Sequence, residues 1–132
     1  MQPGRHRLQF AQKTYGVKIV NTSDAWIAAR ANEELVAMLP YGGLCARKGE
    51  NSFGDKREDA GDGYHDGDIG GGQYLNACVW YETLTGNSCV GKTFEMKTYN
   101  NDKNSAAYAP KYELNADFVA LLQEAAHSVP KN

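Results

Sequence analysis

Gly70-Gly71-Gly72 stands at the head of the main apolar stretch of this 132-residue chain and constrains how that stretch can fold. Three consecutive glycines cost too much backbone entropy to sit inside a helix, so they belong to its first turn. There they allow another element's backbone to come close. Beyond them Tyr74, Leu75, Cys78, Val79 and Glu82 mark one helical stripe, which Gly86 ends as a left-handed cap. The pattern predicts a helix that begins between Asp68 and Gly72 and runs to about Thr85.

Upstream, Leu8 to Tyr15 reads as the end of an amphipathic helix stopped by Gly16. Val17, Ile19 and Val20 form a β-branched run of the kind found in a parallel strand covered by helices. A helix is expected over Ala25 to Met38, with Trp26, Ile27, Ala29, Leu35 and Met38 along one side and cap-competent residues from Asn21 to Asp24 before it. This order makes an α-β-α unit, with the strand's carboxyl end at Asn21 to Asp24, where open α/β sheets usually place ligands. Residues 39–61 carry Pro40 and several glycines and read as a long loop, of a length usual only in functional or mobile segments. Residues 87–112 read as an irregular surface segment. A last helix is expected from Ala116 to Ser128, capped by Asn115, with Phe118, Leu121, Leu122 and Ala125 on its buried face. His127, at its end, would favour the helix dipole.

With 42% hydrophobic and 23% charged residues, the chain suffices for one core and one domain over 1–132. A net charge of -2 gives no drive toward nucleic acid, and the basic Arg5, His6 and Arg7 read as a solvated helix face. No apolar run reaches membrane-spanning length, and the N-terminus lacks the apolar core of a signal peptide. Cys45, Cys78 and Cys89 have no metal-finger spacing. Cys78 fits a buried helical thiol, whereas Cys45 and Cys89, both in loop-like sequence, could pair under oxidising conditions.

Asp62-Gly63-Tyr64-His65 carries the chemistry. An Asp three residues before a His can accept a hydrogen bond from Nδ1–H, fixing the tautomer and leaving Nε2 to deprotonate a nucleophile. Three other uses of this loop compete. Asp59, Asp62, Asp66 and Asp68 suggest Ca²⁺, but the EF-hand pattern fails where Ala77 stands in place of the bidentate Glu. A transition-metal site would have only one local His, and a solvated loop needs no special residues at all.

Three blocks together resemble the C-terminal portion of the SGNH (GDSL-like) hydrolases, in particular the DUF4886-type branch. They are Tyr15-Gly16-Val17-Lys18-Ile19-Val20 leading to Asp24-Ala25-Trp26 and Ala29-Arg30; Asp62-Gly63-Tyr64-His65; and Gly72-Gln73-Tyr74-Leu75 through Trp80-Tyr81-Glu82 to Leu84-Thr85-Gly86. The resemblance implies an α/β fold, part of a flavodoxin-like three-layer α/β/α sandwich, helix-rich toward its C-terminus. It also implies acyl transfer to water from a small-molecule or carbohydrate ester, without a cofactor or metal. His65 would be general base and then acid, and Asp62 its orienter. The serine and oxyanion blocks of that family are not in the sequence: Gly54-Asp55 is followed by Lys56, and neither Ser23 nor Ser52 lies in a glycine-flanked nucleophile turn. On this reading the chain is a truncated or split C-terminal piece that needs an N-terminal half. Relatives of this type are often exported from bacteria, but this chain carries no signal of its own. The alternative is a non-catalytic remnant or binding module, prone to self-association through exposed strand edges.

Overall fold

The computed structural model describes residues 3–47, 57–93 and 114–131, and every regular element among them is helical. In chain order these are α1 (Pro3–Tyr15), α2 (Thr22–Ala31), α3 (Glu33–Met38), a 3-10 turn (Gly43–Cys45), α4 (Gly72–Thr85) and α5 (Ala116–His127). The expected α/β sandwich is therefore corrected: the described residues form a helical assembly with no strand. Residues 17–20 form no regular element and enter no ladder. They hold a single β-branched run, and a strand exists only where a second backbone pairs with it. Two side-chain bonds anchor the segment instead, from Lys18 Nζ to Thr83 O at 3.1 Å and from Asn21 Nδ2 to Pro130 O at 2.5 Å.

The core lies where α2, α4 and α5 meet, with α3 packed against α2 and α5. Ala25 and Ala29 are wholly buried on α2, and such small side chains let neighbouring helices approach. Leu35, Leu75, Val79 and Leu122 fill the space between them. Each fully buried side chain of this size contributes roughly 1.5–3 kcal/mol. By contrast α1 leaves Leu8 and Phe10 more than half exposed, so its own side chains add little to that core.

The single helix expected over Ala25 to Met38 is two helices broken at Asn32. Asn32 takes extended backbone angles, and its side chain accepts the Leu35 N–H at 3.0 Å, capping α3. Here a side chain that competes for backbone donors starts a new helix and ends the old one. The other boundaries agree with the sequence pattern. Gly16 and Gly86 have positive φ and close α1 and α4 through bonds to Gln12 O and Glu82 O. Asn115 caps α5 by accepting from Asp117 and Phe118. Of the two irregular segments, residues 48–56 and 94–112 lie outside the described residues, and so do Ser52 and Gly54-Asp55.

Candidate functional site

Asp62 and His65 sit on the loop between the 3-10 turn and α4, and glycines clamp that loop at both ends. A Cβ on Gly61 would strike the Cys45 carbonyl, and one on Gly67 would strike the Ala46 carbonyl. Backbone hydrogen bonds join the same surfaces, from Gly67 N to Leu44 O at 2.9 Å and from Gly70 N to Ala46 O at 3.1 Å. The close approach the glycines allow is thus used to bind loop to turn by main chain, which leaves little freedom to the residues between.

Between the clamps, one carboxylate organises the loop. Asp62 Oδ1 accepts the N–H groups of Tyr64 and His65, both at 2.9 Å, and Oδ2 lies 2.5 Å from His65 Nδ1. The first pair is a local turn of the kind Asp favours, and it places the imidazole within reach of the second oxygen. An ionised carboxylate only accepts, so Nδ1 carries the proton and Nε2 is the basic nitrogen of the neutral ring. The His65 N–H, the His65 ring and the Tyr64 N–H together hold the Asp62 carboxyl well below the usual carboxylate range. In return, the hydrogen bond and negative charge of Asp62 raise the His65 pKa, against opposing contributions from desolvation and from Arg47. The His65 side chain is 73% exposed.

A second set of contacts fixes the downstream end of the loop. Asp66 Oδ2 accepts Asn76 Nδ2 at 3.0 Å, and Asn76 Oδ1 accepts Trp26 Nε1 at 2.7 Å. Arg30 stacks over the Trp26 ring at 5.1 Å. The three blocks singled out in the sequence, around Trp26 and Arg30, at 62–65 and along α4, therefore converge on one loop. Sequence reasoning missed Asn76 and Asp66 as connectors. An indole N–H needs an acceptor when partly buried, but nothing in the sequence says that the acceptor lies fifty residues on.

The aspartates weighed as cation ligands are each engaged separately. Asp59 Oδ2 accepts the Tyr41 N–H, Asp66 holds Asn76, and Asp68 Oδ1 accepts the Ile69 N–H. Among the described residues no group of three His, Cys, Asp or Glu side chains could hold a metal ion. Nor is Cys45 a nucleophile in waiting beneath the loop: burial pushes its thiol pKa up, whereas a reactive cysteine needs it lowered. Ser23 lies in the first turn of α2.

His127 has a larger role than the dipole contact expected for it. Its Nδ1 meets the two oxygens of Glu82 at 2.9 and 3.1 Å, and Ser88 Oγ lies 3.5 Å from the same nitrogen. Serine and carboxylate on one nitrogen is not a catalytic relay, which needs them on opposite ring nitrogens. Glu82 is a structural carboxylate, buried and bonded also to the Cys89 N–H at 2.7 Å and to Lys131 Nζ at 3.2 Å.

Comparison with known proteins found no matching family model, no similar curated protein and no similar solved structure.

Proposed function

We propose that Asp62 and His65 are the acid–base pair of an acyl-hydrolase site of the Ser-His-Asp type, whose serine is not in this chain. One observation carries the reading: a clamped loop holds an Asp carboxylate on His65 Nδ1, which leaves Nε2 basic on an exposed ring. The resemblance to SGNH-type esterases supplies the reaction class. The convergence of its three blocks on the loop supports the assignment, while the helical architecture gives it no help.

In such a site Nε2 takes the proton of an attacking serine hydroxyl, and the resulting imidazolium is stabilised by Asp62. The same nitrogen returns the proton to the leaving alkoxide, leaving an acyl-serine. It then deprotonates water as that water attacks the acyl carbon, and returns the proton to the departing serine oxygen as the carboxylic acid is released. A carboxylic ester, small or carbohydrate-borne, is the substrate class.

The test is to join the chain to a segment carrying a G-D-S serine and the oxyanion residues, then follow p-nitrophenyl acetate hydrolysis. Cleavage that requires both parts and is abolished by His65→Ala is expected. Cleavage indifferent to His65→Ala would refute the assignment, and ligand binding without turnover would favour the second reading, a non-catalytic binding module.

A further inference from the structure

His65 has a carboxylate on either side of it in the sequence, Asp62 three residues before and Asp66 directly after. Only the first is on the ring. Asp62 Oδ2 lies 2.5 Å from His65 Nδ1, whereas Asp66 Oδ2 is turned onto α4, where it accepts Asn76 Nδ2 at 3.0 Å. The Asp66 carbonyl is held by the same helix, accepting Gln73 Nε2 at 3.3 Å. The Asn76 amide has one orientation that fits. An indole N–H only donates, so the bond from Trp26 Nε1 at 2.7 Å requires the amide oxygen, and the amide N–H groups then face a carboxylate that only accepts. Trp26 is fixed in turn, because a Cβ on Gly72 would stand 2.9 Å from its ring and Arg30 lies over its face. A line of contacts from α2 through α4 therefore ends on the residue next to the base.

Resting on the assignment of Asp62 and His65 as an acid–base pair, we infer that Asn76 is a positioning residue that holds Asp66 away from the imidazole, so that Asp62 alone orients it. The reason lies in the second ring nitrogen. His65 acts as a base only while Nε2 lacks a proton, and a carboxylate brought to Nε2 would hold a proton there and fill the place of the attacking hydroxyl. Asp66 is near enough for this to matter, since its charge, with those of Asp62 and Arg47, acts on the ring. Position 76 needs a side chain that accepts at one end and donates at the other, and asparagine does both. Aspartate there would still accept the indole N–H but would repel Asp66, and alanine would release both partners.

The test is ¹⁵N NMR of the His65 ring in the full chain and its variants, with amide dispersion reporting that each is folded. The unaltered chain comes first: an Nε2–H tautomer there would overturn the acid–base reading itself, and this inference with it, whatever Asn76 does. Given Nδ1–H, Asn76→Ala is expected to shift the His65 pKa upward and to increase the Nε2–H share of the neutral ring severalfold, as Asp66 swings in. Adding Asp66→Asn should restore the original tautomer and remove the upward shift. Asn76→Asp, which keeps the indole's acceptor, is expected to act as Asn76→Ala does and replaces it if the alanine variant does not fold. A tautomer ratio and a pKa that these two substitutions leave unmoved would overturn the inference while the acid–base reading stood. So would a change that survives Asp66→Asn, because it would mark a general loosening of the loop.

Discussion

Asp62 is the residue on which the candidate site turns, because one side chain both folds the loop and orients the base. Replacing it by Asn keeps an oxygen for the Tyr64 and His65 N–H groups but removes the negative charge beside the ring. In the proposed hydrolase, completed by a serine-bearing half, Asp62→Asn is expected to lower turnover by about 10⁴, the loss seen when a triad Asp is so changed. The acid limb of the pH–rate profile follows from the raised His65 pKa. In the proposed mechanism the base is neutral imidazole, so activity should rise as pH climbs through that raised value, and Asp62→Asn should move the limb to lower pH. A separate residue-scale expectation concerns Gly67. Its missing Cβ is what admits the Ala46 carbonyl, so Gly67→Ala should destabilise the chain by about 1–3 kcal/mol in urea unfolding, as overpacking does. The D-x-x-H spacing was legible in the sequence because its geometry is local. The clamps were not, because a glycine's close neighbour comes from a distant part of the chain.

At the scale of elements, the sequence showed helix ends better than helix partners. Gly16, Gly86 and Asn115 mark ends through local backbone chemistry, and all three stand where that chemistry places them. Asn32 has the same capping chemistry inside an apolar pattern, and the pattern hid it until the break between α2 and α3 was seen. The Val17–Val20 run failed as a strand for the complementary reason. β-branched residues tolerate extended backbone, yet pairing depends on a partner that local sequence does not name. The Asn115 cap supports a checkable expectation. It satisfies two N–H groups at the start of α5, so Asn115→Ala should cost about 1 kcal/mol, read as a lower thermal midpoint. Asn115→Asp, which keeps the acceptor, should recover most of it.

For the whole molecule, Glu82 joins three parts that share no sequence neighbourhood: α4, the turn at Cys89 and the C-terminal residues His127 and Lys131. Burial alone would raise its pKa, but the Cys89, His127 and Lys131 hydrogen bonds outweigh that and hold it down to about 2. A carboxylate depressed in this way stabilises the fold fully above its ordinary value near 4.5, and that stability is lost as pH falls toward 2. Glu82→Gln is therefore expected to cost roughly 3 kcal/mol at neutral pH and to flatten the dependence of stability on pH between those values. Urea titrations at several pH values would check both. In the sequence Glu82 showed only as a polar member of a helical stripe, because its ligands lie up to 49 residues away.

The account rests on His65 being held with its proton on Nδ1, and long-range ¹H–¹⁵N NMR of the imidazole rings across a pH titration measures this directly. His65→Ala assigns the signal among the three histidines. The account predicts an Nδ1–H tautomer with unprotonated Nε2 at high pH, a pKa above the ordinary imidazole value, and a fall in that pKa on Asp62→Asn. An Nε2–H tautomer, or a pKa that Asp62→Asn leaves unmoved, would contradict it.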